Sequence, residues 1–187
     1  MIGHGSYFTP GWSSKHYFVP LPALAYLDDG VPLHSPVTGY VWRIAEERPR
    51  GRGDMSAGNV AEESGRQVHI RLAGNDSINV VLYHVTLDEG ITEGSTVAAG
   101  QRLGYANVKG NSFDIAIEQW TGNEAAYLSY FELMPDSLFA DYRRLGLSSR
   151  DELVITELER IENPIEFGSP EAGEEGWVFL AATDEPR

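Results

Sequence analysis

Residues 79–104 read NVVLYHVTLDEGITEGSTVAAGQRLG, and this stretch decides the fold. Val81, Tyr83, Val85 and Leu87 alternate with Val80, Leu82, His84 and Thr86. That is the two-residue period of a strand, with largely apolar residues on both sides, so burial of both faces is expected. Glu93-Gly94 and Ala99-Gly100 then fall six residues apart. Each glycine closes a turn where a side chain would clash, and Val97 between them is expected to point inward. The stretch predicts a compact β structure that turns repeatedly.

Working outward, residues 30–44 (GVPLHSPVTGYVWRI) follow the turn signal Asp28-Asp29-Gly30 and read as two short strands broken at Pro36 and Thr38-Gly39. His34 reads as a partly exposed strand residue. In residues 67–72, Val68, Ile70 and Leu72 share one face and Gln67, His69 and Arg71 the other. This pattern assigns His69 to a polar, solvated face, and Asn75-Asp76 is expected to turn the chain back. Phe113, Ile115 and Ile117 alternate with Asp114, Ala116 and Glu118, so one more strand closes the core, followed by Trp120. Residues 48–65 combine glycine, charge and few apolar residues and read as a mobile loop. Arg52-Gly53-Asp54 within it spells an adhesion tripeptide, too short a match to argue adhesion.

Residues 3–27 are dense in aromatic residues and proline, including Pro10, Pro20 and Pro22, which disfavours helix and predicts an extended arm laid over the core. His4 and His16 lie in this arm without a carboxylate or histidine at a recognisable ligand spacing. Beyond Gly122 the character changes. Leu138, Phe139, Tyr142 and Leu145 have helical spacing between Pro135-Asp136 and Gly146. Ser149 to Glu152 and Thr156 to Glu159 each have capping-box spacing, the second predicting a helix that ends at Asn163-Pro164. Residues 166–176 are acidic and glycine-rich, and Trp177-Val178-Phe179-Leu180 is apolar enough to dock as a last strand or clip.

The chain has 187 residues, enough for one main domain with a sizeable core. Asp and Glu number 28 against 14 Lys and Arg, a formal net charge of -14. Such a surface repels phosphate backbones and anionic lipid, which argues against nucleic-acid partners. Cysteine is absent, removing disulfides, thiolate ligands and cysteine nucleophiles together. No apolar run approaches the ~20 residues of a membrane span, and the N-terminus lacks a basic stretch followed by an apolar one.

The residues quoted above form a pattern: Tyr83-His84, then Glu93-Gly94, Val97, Gly100-Gln101 and Leu103-Gly104. With residues 30–44 before it and 113–120 after it, the chain resembles the lysostaphin-type peptidoglycan endopeptidases over roughly residues 20–120. These are zinc enzymes built on the duplicated hybrid motif. The resemblance implies a mostly β fold with a barrel-sandwich-like core and a short helical C-terminal extension. Residues 1–122 would form the arm and β domain, and 123–187 a helical, acidic extension packed on it.

Zinc in that family is held by a histidine and an aspartate ahead of the first core strand and by the second histidine of a His-x-His strand. Laid on this chain, the family's ligand positions fall near Pro20 and Leu24 and at Ala116, none of which has a donor side chain. Asp114 stands where the family has the assisting histidine of that strand, Glu118 matches its glutamate, and His84 matches a catalytic histidine. The resemblance further implies that His84 and Asp114 face each other across neighbouring strands and that the imidazole is held charged. His84, Asp114, Ala116 and Glu118 are thus the remnant groove and the candidate ligand-binding residues.

The expectation is a catalytically inactive, peptidase-like envelope domain without cofactor, binding peptidoglycan or an envelope protein through the former substrate groove. Its expected place is extracytoplasmic, with the export signal outside this sequence, although the lack of cysteine suits the cytosol equally. The competing reading is an active zinc endopeptidase that draws ligands such as His4 or His16 from the arm. A carrier-type hybrid-motif module is the third reading, but Lys109 lacks the flanking methionine of a biotinyl site.

Overall fold

The computed structural model describes residues 2–5, 15–18, 30–47, 65–106, 113–154, 156, 158, 162, 177–178 and 180. Pro20, Leu24, Arg52-Gly53-Asp54, Lys109, the acidic stretch at 166–176 and most of the helix expected from Thr156 onward lie outside these residues.

The fold is mostly β and antiparallel, with a short helical C-terminal extension. Its strands are β1 (Ile2–Gly5), β2 (Lys15–Phe18), β3 (Val31–His34), β4 (Gly39–Glu46), β5 (Arg66–Leu72), β6 (Asn75–Leu87), β7 (Thr96–Val97), β8 (Arg102–Ala106), β9 (Phe113–Thr121), β10 (Glu124–Leu128) and β11 (Trp177–Val178). They pair in the order β11-β1-β2-β9-β6-β5-β4-β7, while β10 pairs with β9 and β8 joins β6 to β3. The two-residue β11 lies against β1, so Trp177 and Val178 do form the last strand. From the turning segment, β7 pairs with β4 and β8 pairs with both β6 and β3, so Val97 and Leu103 join the apolar face of the long strands.

That core gathers Val68 and Ile70 from β5, Ile78, Val80, Leu82 and Val85 from β6, and Ile115 and Ile117 from β9, with Val41, Val97 and Leu103 packed against them. Each is 9% exposed or less, and burying such a side chain is worth ~1.5–3 kcal/mol. The ramp is fixed by backbone that only glycine fits. At Gly104, with φ +150°, an added Cβ would stand 2.0 Å from the Thr86 carbonyl oxygen where β8 meets β6.

A second, smaller core underlies the extension. Phe131, Met134, Phe139, Leu147 and Leu153 are buried together, with Phe18 of β2 against them. After the single turn α1 (Tyr130–Leu133), the helix α2 (Asp136–Arg144) starts after Pro135 and ends before Gly146, as its flanking residues predict. The Ser149–Glu152 capping box closes a 3-10 turn.

Three expectations are corrected. The helical spacing of Leu138, Phe139, Tyr142 and Leu145 predicts one packed face, but Leu138 is 40% exposed, because α2 packs through Phe139 and Tyr142. The β5–β6 turn is Ala73-Gly74, so Asn75-Asp76 already belong to β6. Gly122 sits in the turn of the β9–β10 hairpin, where Thr121 pairs with Glu124, so the change of character there is a hairpin tip and β10 still belongs to the sheet. Among the described residues, no helix is long and apolar enough to cross a membrane.

Candidate functional site

The site lies on the face of the sheet turned away from the main core. Pairing of β6 with β9 sets Asn79 opposite Glu118, Val81 opposite Ala116 and Tyr83 opposite Asp114. On the other side of β9, β2 sets Tyr17 opposite Asp114. Paired residues share a face, so these side chains form one surface.

His84 would leave that surface if β6 were regular, since successive strand residues point to opposite faces. A β-bulge prevents this. Arg66 pairs with Val85 and Val68 with Leu82, so Gln67 alone opposes both Tyr83 and His84. The core-facing series Ile78, Val80, Leu82 therefore resumes at Val85, leaving Tyr83 and His84 together on the outer face, their rings 6.5 Å apart. His84 takes φ 59°, the left-handed region that non-glycine residues rarely enter and that costs ~1–3 kcal/mol. Gly65 makes room for it: a Cβ there would stand 2.7 Å from the His84 Cα.

The strained residue is held by Glu47, the residue after β4. One carboxylate oxygen accepts the His84 backbone N–H at 3.1 Å, and the other accepts the ring Nδ1–H at 2.6 Å. His84 Nε2 lies 3.4 Å from the Asp114 carboxylate. A ring with a carboxylate at each nitrogen donates from both, which is the charged form. Burial alone would lower the His84 pKa, but the hydrogen bonds and charges of Asp114 and Glu47 outweigh it and raise the value to about 9.

Asp114, 2% exposed, also faces Lys15 Nζ at 3.6 Å, and the same ammonium stands 3.4 Å over the Tyr83 ring. Two cations and two carboxylates thus share a nearly dry site, each charge facing an opposite one. Burial, then the negative charges of Glu118, Asp114 and Glu47, push the Tyr83 hydroxyl up, so it stays neutral.

A separate network spans the same face beside this cluster. Asn79 Nδ2 donates to Glu118 at 2.8 Å and to His69 Nδ1 at 3.2 Å, while Asn79 Oδ1 accepts from the Trp42 indole at 2.8 Å. The indole can only donate, which fixes the amide orientation, so His69 Nδ1 accepts and its proton sits on Nε2. His69 is 8% exposed, packed against Trp42 with ring centroids 5.6 Å apart, and burial lowers its pKa. The solvated position expected for it is therefore corrected: its face is polar but covered. A second bulge, at Trp42 in β4, turns the indole over His69.

Glu118 does not join His84. It lies four residues along the strand from Asp114, and its Oε2 accepts from Asn79 and, at 3.1 Å, from Trp120. Ala116 lies between, 2% exposed and without a donor atom. His16 points to the opposite side of the sheet, its Nε2 2.9 Å from the Ser129 hydroxyl and its ring edge-on to Phe131 at 4.8 Å. Zinc requires three converging protein donors and an open position. Among the described residues no group of three such side chains converges, and both His84 nitrogens already face carboxylates. The donor set among the described residues does not fit the metal.

Sequence reasoning missed Glu47, Lys15, Trp42 and Asn79. Lys15 carried a faint signal, a charged residue inside the alternating Lys15-His16-Tyr17-Phe18. Glu47 carried none, because its partner is 37 residues away and reaches it only through the bulge.

No family model matches the chain, and no curated protein matches it. A solved structure of Helicobacter pylori Csd3, from an orthorhombic crystal, is similar at 16% identity and a TM-score of 0.43. The match covers 82% of this chain and 40% of that one, so this chain spans well under half the length of that protein.

Proposed function

We propose that this chain is a lysostaphin-type peptidase-like domain that has exchanged zinc hydrolysis for binding, and that it holds a cell-wall or protein partner of the bacterial envelope on the face carrying His84, Asp114 and Ala116. The observation that carries the reading is the replacement of a metal-donor arrangement by a self-neutralised cluster. Ala116 offers nothing to a metal, and His84 is engaged at both nitrogens by Glu47 and Asp114. A charge-balanced buried cluster makes a stiff platform and leaves no group to activate water. The reading with zinc ligands drawn from the arm is disfavoured by His16, whose ring is engaged on the far side of the sheet.

The test is elemental analysis of purified protein together with co-sedimentation on isolated cell-wall sacculi and assay of muropeptide release. Sedimentation without stoichiometric zinc or hydrolysis is the expected result. One zinc per chain, removed by chelation together with hydrolytic activity, overturns the proposal.

A further inference from the structure

Along the same face, past Glu118, the β9–β10 hairpin presents two large aromatic side chains to solvent. Trp120 is 43% exposed and Tyr127 is 50% exposed. Tyr127 pairs with Glu118 across the hairpin, which places Trp120 diagonally beside it on the same face. The indole is held in place, since its Nε1–H donates to Glu118 Oε2 at 3.1 Å. That oxygen also accepts from Asn79 at 2.8 Å, and Asn79 is anchored in turn by Trp42. Both recorded bonds fall on Oε2, so Oε1 takes no hydrogen bond among the described residues. The result is two exposed rings with an oriented carboxylate acceptor between them.

We infer that this hairpin face is a saccharide subsite that seats the uncharged glycan strand of the cell wall, an inference that rests on the binding function proposed above. The chemistry selects the ligand. A pyranose ring offers a C–H face that stacks on an indole or phenol and hydroxyls that donate to a carboxylate, so both features are used at once. A proline-rich peptide would match the rings but brings few donors for Glu118. A chain of net charge -14, with Glu118 at the centre of the patch, repels anionic polymers. An exposed ring already fixed by its own hydrogen bond loses little entropy on binding, which favours the weak, repeated contacts a glycan makes.

The full chain is titrated with chitotetraose, an uncharged N-acetylglucosamine oligomer, with maltotetraose and a proline-rich peptide as parallel arms. Binding is read by tryptophan fluorescence and by NMR shifts of the Trp120 indole. Saturable binding of chitotetraose is expected, weakened about tenfold or more by Trp120→Ala and several-fold by Tyr127→Ala, with both variants still unfolding cooperatively because neither side chain belongs to the buried core. Glu118→Gln turns the outward group from an acceptor into a donor and should also weaken binding; Trp120→Phe, which keeps a ring but loses the indole's bond to Glu118, should bind between wild type and Trp120→Ala. No saturable signal, equal affinity for maltotetraose, binding of the peptide instead, or an unaffected Trp120→Ala variant overturns the subsite. If sacculi are bound equally by wild type and Trp120→Ala, the subsite fails while the proposed function stands; release of muropeptides with bound zinc fails the function itself.

Discussion

Replacing Glu47 by glutamine should lower the His84 pKa and remove stability mainly below about pH 9. The His84 pKa is raised from 6.5 to about 9 although burial opposes the rise, so the two carboxylates supply all of it. At 1.36 kcal/mol per pH unit, a rise of about 2.5 corresponds to about 3 kcal/mol. The ring is 27% exposed, and solvent screening reduces the expectation to about 2 kcal/mol. Because the folded-state value lies above the unfolded one, this stability is complete below pH 6.5 and fades as pH rises through about 9. Glu47→Gln keeps an acceptor for the backbone N–H but loses the charge, so about half of the effect, about 1 kcal/mol, should disappear at pH 6 and little at pH 10. Urea denaturation of both proteins across this range, with NMR titration of the His84 ring, measures the two quantities. His69 acts with the opposite sign: its lowered pKa gives stability that is present above 6.5 and lost as pH falls, so acid should weaken both proteins alike. A wild-type His84 that titrates at or below 6.5, or a Glu47→Gln penalty that grows towards pH 10, would refute the reasoning.

Two further perturbations probe the same face. Lys15→Met should destabilise the chain by about 3 kcal/mol, since it removes one cation from a carboxylate that is 2% exposed; a chemical denaturation midpoint unchanged from wild type would show that the ammonium is not needed to compensate Asp114. Gly65→Ala should cost more than a typical surface change, about 2 kcal/mol or more, because its Cβ would press on the His84 backbone at 2.7 Å; a normal melting temperature together with an unmoved His84 ring signal would count against the bulge.

Much of the architecture follows from local periodicity. Val68, Ile70 and Leu72, like Phe113, Ile115 and Ile117, announce strands and their buried faces because alternation is a property of neighbouring residues. The glycine-closed ramp, the inward Val97 and the helix between Pro135 and Gly146 are legible for the same reason: backbone conformation is restricted residue by residue. The missing donor at Ala116 is a matter of residue type and needs no structure.

Beyond the His84–Asp114 pair that the resemblance implies, the tertiary structure alone decided which polar residues meet and how deeply they lie. Alternation states parity, not depth, so it assigns the polar side of β5 to solvent although Trp42 covers His69. Strict parity separates Tyr83 from His84, and only the bulge opposite Gln67 brings both to one face. Glu47 and Lys15 reach the site through pairings between distant segments, Glu47 from the end of β4 and Lys15 from β2 beside β9. Register and bulges arise from the packing of whole strands against one another, an energy that no short window of sequence contains. The residue types on the sheet were therefore readable in the chain, while the charge-balanced cluster they build exists only in the fold.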